Sequence, residues 1–426
     1  MGCGASVPAP DDGAEGEKAT HAVPEEEAEA AADAIPGKRA AATERREAGA
    51  VGGSKAHAHA PAASDPPFPR EGVGASWLVR FADERRGKAF SWTADDFIKP
   101  EHARGGVVVD AAGLAAHRER IAAAARDADG VRTAVRYEGI PFEAMTTNDV
   151  CFGVVKPATA AGTCSCVDLL LRAEEAGAVR PATAFVSHAW KYTFVDVVDT
   201  LRGLPEDAYV WFDVFTVNQH QSLQVSPQWW YTTFKDAVAS IGHTVLVLMP
   251  WNDPIPLTRA WCIWEILCTV DGGAVKLDIR LPAREQEAFA SFLVREGSDS
   301  VVKAMLKLDV ERAEAWNKDD LNNILAAVRE YPGGASEVNK RIKDQMRSWL
   351  AEAAKTALDG LSTESRATSE LLMDVANLLY DQGKYAEAEP LYREALEGYR
   401  RELGDAHPRT LASINKIGRA SCRERV

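Results

Sequence analysis

The period of the apolar positions changes several times along the chain. Before Trp77 large apolar side chains are scarce among Ala, Glu, Pro and Gly. Such a stretch cannot bury enough surface to offset chain entropy, so residues 1–74 are expected to be a disordered tail. The next region, 75–179, reads as a small α/β lead-in. Short apolar runs predict strands at 107–109 and 131–137, and Ala-rich spacing predicts a helix over 111–126. A further strand is expected at 152–155 and a helix at 167–176. From 180 the alternation becomes regular. Strands are predicted at 184–186, 209–215, 245–249 and 275–281, and helices at 195–201, 229–241 and 259–270. That order predicts a parallel sheet covered by helices on both faces. Beyond it Phe289, Phe292, Leu293, Val301, Met305, Leu308, Leu321, Ile324, Leu325 and Val328 recur at three- and four-residue spacing. They predict helices that extend the α/β unit to residue 358. Two more helices, 371–381 and 385–403, are separated by Gln382-Gly383-Lys384 and read as a hairpin.

Composition adds limits. A chain of 426 residues is expected to hold two or three units. No apolar run approaches the ~18 residues that cross a bilayer. The net charge of −14 argues against nucleic-acid binding. Seven cysteines are sparse and include no Cys-x-x-Cys pair, which suits reduced thiols in the cytoplasm. Cys151, Cys164 and Cys166 lack a fourth ligand at metal spacing, so no metal site is expected.

The first residues, Met-Gly-Cys-Gly-Ala-Ser, fit the N-myristoylation pattern with Gly2 as acceptor and Ser6 at the favoured hydroxyl position. One myristoyl chain binds membranes only marginally. The tail carries more acids than bases, so the second signal falls to palmitate on Cys3. The expected location is the cytoplasmic face of a membrane.

Right-handed crossovers put the C-terminal ends of parallel strands on one edge, where ligands of open α/β sheets bind. Ser187, His188 and Trp190 follow the first strand of the regular unit. Asp213, Asn218, Gln219 and His220 follow the second, and Pro250, Trp251 and Asn252 the third. Seven of the 11 tryptophans fall between 190 and 264. Most suit core packing, and one or two would suit stacking on a flat ring. The helix at 259–270 is apolar nearly all round, and Glu265 is the one charged residue between Arg259 and Asp271. A lone carboxylate there either faces a polar cleft or pairs with a base such as Arg259.

The order Phe-Val-Ser-His (185–188), Trp-Phe-Asp (211–213), Phe-Lys-Asp-Ala-Val-Ala-Ser-Ile (234–241), Val-Leu-Val-Leu (245–248) and Thr-Arg-Ala-Trp-Cys-Ile-Trp-Glu-Ile (258–266) resembles the TIR domain. Trp-Cys-Ile-Trp-Glu is the specific part. Between 214 and 229 the chain departs from the family, with Asn-Gln-His-Gln where a loop glycine is usual. The resemblance implies a flavodoxin-like fold and cleavage of NAD⁺, as substrate, at its nicotinamide–ribose bond. No resident cofactor is implied. Glu265 would be the catalytic carboxylate. Ser187, His188, Trp190, Asp213 and Trp261 would line the nucleotide site. The non-catalytic alternative is an adaptor in which this domain only self-associates into a homo-oligomer.

The string Gly-Lys-Tyr-Ala-Glu-Ala-Glu-Pro-Leu-Tyr-Arg-Glu-Ala-Leu (383–396) resembles a tetratricopeptide repeat of the kinesin-light-chain type. Gly383, Tyr385, Ala388, Leu391, Tyr392, Ala395 and Leu396 fit its packing positions. This all-α region, 367–416, implies binding of a protein partner, with further repeats needed for a stable array. The last stretch, 417–426, abandons the pattern and reads as the translation of a sequencing adapter. It is set aside from fold reasoning.

Overall fold

The computed structural model describes residues 67–221, 229–271, 275–305, 308–315 and 318–424. Gly2, Cys3 and the other residues up to 66 lie outside them, as do residues 222–228.

The main sheet has six strands. They are β1 (Glu71–Gly74), β5 (Val179–Pro181), β6 (Ala184–Ser187), β7 (Tyr209–Trp211), β8 (His243–Val247) and β9 (Lys276–Arg280), in the order β5-β1-β7-β6-β8-β9. The four strands β7-β6-β8-β9 run parallel, as the alternation predicts. Side chains alternate across this sheet. Phe185, Trp211 and Leu246 enter one core, while Ala184, Val186, Val210, Val245 and Val247 enter the other. Both faces are apolar because helices cover both.

The first helix, α1 (Ala75–Asp83), lies on the second face together with Phe194–Leu201, the helix that follows β6. Lys235–Ile241 and Ala260–Asp271 lie on the opposite face. That division follows from right-handed connections, since β7 sits on one side of β6 and β8 on the other.

A second, three-stranded sheet comes from the lead-in: β2 (Ala89–Ile98), β4 (Val131–Pro141) and β3 (Val107–Asp110), in that order. Its helix is α2 (Leu114–Asp127). The Trp92 and Tyr137 rings stack 4.6 Å apart and tie it to the second core.

Three expectations are corrected. The strand expected over 209–215 stops at Trp211, and Asp213–Thr216 is a helical turn. Order begins well before residue 75. Phe68 is buried with its ring 5.0 Å from Trp211, Trp211 Nε1 donates to the Pro69 carbonyl at 2.9 Å, and β1 pairs antiparallel with β7. Phe68 and Val73 are the few large apolar residues in that Pro-rich stretch, and each found a core slot. Gly72 permits the pairing, because a Cβ there would stand 2.8 Å from the Val210 carbonyl oxygen. The segment 152–155 is helical, not a strand. Thr146 and Asp149 form a reciprocal capping box that starts a helix at Thr147, and Cys151–Val155 continues it. Gly153 lets this turn lie against Trp92.

From residue 283 on the described elements are all helical. In chain order, α3 (Cys166–Arg172), α4 (Phe194–Leu201), α5 (Lys235–Ile241) and α6 (Ala260–Asp271) belong to the α/β part. They are followed by α7 (Ala283–Glu296), α8 (Asp299–Met305), α9 (Lys318–Glu330) and the 26-residue α10 (Gly334–Asp359). The hairpin α11 (Glu370–Asp381) and α12 (Tyr385–Leu403) comes next, then α13 (Pro408–Glu424). One apolar core runs from Phe185 through Ile342 and Leu350 to Leu372, Tyr392 and Ala420. The end of α13 enters the stretch set aside above. Ala, Arg and Glu are strong helix formers, and a helix begun at Pro408 runs through them.

Candidate functional site

β6 ends at Ser187, and α6 passes close to that end. Ala260, Cys262, Ile263, Trp264, Ile266, Leu267 and Cys268 are buried on α6, so the helix is held on several sides. Glu265 is its lone charge. Ser187 Oγ donates to Glu265 Oε2 at 2.5 Å, and Ser187 is only 1% exposed. Glu265 keeps an edge to solvent, yet its carboxyl is enclosed by protein atoms. That desolvation pushes its pKa up to about 8. The Ser187 hydrogen bond pulls the other way, and the charge of Asp213 adds to the rise.

Asp213 begins the helical turn after β7. Its Oδ2 accepts from Trp190 Nε1 at 2.6 Å and its Oδ1 from the Val214 amide at 2.8 Å. Burial pushes its pKa up to about 6, against those two donors. Ser187, Trp190, Asp213 and Glu265 therefore meet at one edge of the sheet, where β6 and β7 end.

Two other predicted residues point elsewhere. His188 is buried, with Nε2 3.1 Å from Thr147 Oγ1 and its ring edge-on to Phe212. Desolvation lowers its pKa to about 3, so it is neutral. Trp261 packs edge-on to Phe234 and hydrogen-bonds the Asp320 carboxyl. The pairing of Arg259 with Glu265, weighed from the sequence, does not form. Arg259 instead bridges through its backbone to Glu314. Among the described residues no cation stands within ion-pair distance of Glu265 or Asp213.

The lead-in region carried no motif, but it holds the loop beside this edge. Asn218 Nδ2 donates to the Thr163 carbonyl at 2.9 Å, and His220 Nε2 lies 2.8 Å from Thr159 Oγ1. Gln219 Nε2 donates to the Asp213 carbonyl at 2.9 Å, fixing the backbone that carries Asp213. The same region hides a polar knot that sequence reading missed. His117 Nε2 lies 2.8 Å from Asp96 Oδ2, which also accepts from Tyr137 OH at 2.5 Å. The available signal was position: His117 falls on the buried stripe of α2 with Leu114 and Ala124.

On α12 four of the expected packing positions are buried, while Tyr385 and Leu396 are half-buried. Ala388, Tyr392 and Ala395 are fully buried, Leu391 nearly so, and Tyr392 OH donates to Asn377 Oδ1 at 2.9 Å. Gly383 sits at φ +79°, the left-handed turn residue between the two helices. No curated protein and no solved structure matches this chain. Residues 368–409 match the family model of the tetratricopeptide repeat.

Proposed function

We propose that the chain is a lipid-tethered signalling protein. In this reading a TIR-like α/β domain cleaves NAD⁺, and the tetratricopeptide module binds a protein partner. The observation that carries the enzymatic half is the Ser187–Glu265 hydrogen bond, which joins the end of β6 to α6. It lies where the strand order reverses, with β7 on one side of β6 and β8 on the other. Ligands of open α/β sheets bind at that place. The parallel order β7-β6-β8-β9, with helices on both faces, supports a flavodoxin-like, TIR-like assignment.

The chemistry follows from the carboxyl. In the hydrolysis the C–N bond breaks, nicotinamide leaves with the electron pair, and water adds to the anomeric carbon with loss of a proton. The transition state resembles an oxocarbenium ion, which a carboxylate stabilises. With a pKa of about 8, free Glu265 is mostly protonated at pH 7. The cationic nicotinamide ring of NAD⁺ favours its ionised form, so the substrate itself would charge the group. Trp190, tied by Asp213, stands half-buried at the same edge. NAD⁺ enters as substrate, with no resident cofactor.

The test is nicotinamide release from NAD⁺ by the purified chain, compared with Glu265→Ala and Ser187→Ala. Loss of about a hundredfold in Glu265→Ala is expected. Equal rates would eliminate the enzymatic reading.

A second reading, a non-catalytic adaptor that self-associates through the α/β domain, draws on one observation. The Glu265 carboxyl is already occupied by Ser187 and enclosed. It predicts no nicotinamide release and a dimer or larger species in sedimentation velocity.

A further inference from the structure

We infer that the cleft between α8, α10 and α11 receives an extended, arginine-bearing segment of the partner protein. The inference rests on reading the tetratricopeptide module as a partner-binding unit, and it names what that unit recognises. The cleft has a volume of about 660 Å³, within the range of pockets that hold several side chains. Asp374, Asn377, Leu378 and Asp381 line it from one face of α11, at positions i, i+3, i+4 and i+7. Asp344 and Arg347 of α10 and Asp299 of α8 line the other walls.

Its charges are unevenly matched. Arg347 Nη1 is given to Asp344 at 2.9 Å, and Lys384 Nζ to Glu352 at 3.4 Å. Asp299, Asp374 and Asp381 have no cation within ion-pair distance among the described residues. Asp374 is half-buried and accepts from the Ser298 amide at 2.7 Å and from the Ser298 hydroxyl. Burial, with the nearby Asp299 charge, pushes its pKa upward. A carboxylate in that state gains most from an added cation. Gln382 points the same way. Its Nε2 donates to the Arg347 carbonyl at 3.2 Å, while its Oε1 is buried without a partner.

The occupant is organic rather than a metal. Among the described residues no three His, Cys, Asp or Glu side chains are placed to hold an ion. Spaced acids beside the apolar side chains of Val302 and Leu378 suit a guanidinium on its methylene stem. Arginine fits better than lysine because its fork meets two carboxylates at once and is more weakly hydrated.

The experiment uses the whole chain and fluorescence anisotropy in 150 mM salt as an approximate physiological condition. The probe is a fluorescein-labelled decapeptide alternating Arg and Ser, with Lys-Ser and Glu-Ser decapeptides for comparison. The Arg peptide is expected to bind, the Lys peptide more weakly and the Glu peptide not at all. Asp299→Asn and Asp374→Asn should each weaken Arg-peptide binding about tenfold. Glu206→Gln, which removes an exposed charge elsewhere, should leave it unchanged. Asp299 is exposed, so its variant keeps the fold even where Asp374→Asn does not. Equal binding by wild type, Asp299→Asn and Asp374→Asn would overturn the inference, leaving only general attraction to an acidic chain. Absence of Arg-peptide binding would also overturn it. If a captured protein partner is then retained by both variants, the repeat still binds a partner but not through this cleft.

Discussion

Replacing Glu265 with glutamine should make the protein more stable at neutral pH while removing its proposed activity. The folded carboxyl has a pKa of about 8 against an ordinary value of 4.5. At pH 7 the unfolded chain carries the charge and the folded chain carries the proton. Taking up that proton costs about 1.4 kcal/mol for each of the roughly 2.5 pH units between the ordinary value and neutrality, or about 3.5 kcal/mol. The sign is fixed by which state binds the proton more tightly. Here it is the folded state, so this group's contribution is fully present below about pH 4.5 and is lost as pH rises through about 8. Glutamine keeps the shape, still accepts from Ser187 and carries no charge at any pH. The variant should therefore gain about 3.5 kcal/mol at pH 7, more at pH 8.5, and almost nothing near pH 4.5. Urea unfolding followed by far-ultraviolet circular dichroism at those three pH values measures it. Identical stabilities of variant and wild type at pH 8.5 would refute the argument, because they would mean that the folded carboxyl bears no desolvation penalty.

Three further outcomes are expected. Asp213 has a pKa raised to about 6 by burial and is bonded to Trp190. The fluorescence difference between wild type and Trp190→Phe should titrate near pH 6 and flatten in Asp213→Asn; a wild-type difference that is constant from pH 5 to 7 contradicts this. Gly72→Ala places a Cβ against the Val210 carbonyl, a backbone atom that cannot move aside. It should lower stability by about 2 kcal/mol, and an unchanged melting temperature would show that β1 is dispensable. Gly2→Ala should release a tagged protein from membranes into the soluble fraction, and continued membrane retention would dispose of the proposed myristate.

Much of the α/β part was readable because its signal is period-based. Val245–Val247 is apolar at every position because both faces of β8 are covered, and the sequence shows that as an unbroken run. Glu265 stood out for a related reason, as one charge in a helix buried on several sides. The position of β1 was not readable. Four residues next to a Pro-rich stretch carry no period, and their pairing with β7 is set by a sheet edge formed more than a hundred residues later. The helical turn at 151–155 was misread because Phe-Gly-Val-Val is apolar and β-branched, while the deciding signal was the Thr146–Asp149 capping box upstream. The parting of His188 from Ser187 was also hidden. Adjacent residues at a strand end face opposite ways, and only Thr147, from the lead-in, reveals which way each goes.

The single repeat raises a physical question that the long helix α10 answers. A lone tetratricopeptide hairpin cannot bury its own apolar face. Here Leu350, Ala354 and Leu358 of α10 share one core with Leu372, Val375 and Leu379 of α11, so α10 takes the place of a preceding repeat. The same helix reaches back to the α/β part. Arg341 meets Asp271 at the end of α6 at 3.2 Å, and Tyr331, just before α10, donates to the same carboxyl at 2.7 Å. α10 thus abuts the end of the helix that bears Glu265, lines the acidic cleft and seals the hairpin. Its three roles cannot be mutated independently. Leu350→Ala should loosen the hairpin and the α/β core together, at a cost of about 3 kcal/mol. Two separate unfolding transitions, with only one of them shifted, would show that the modules are joined by a tether rather than by a common core.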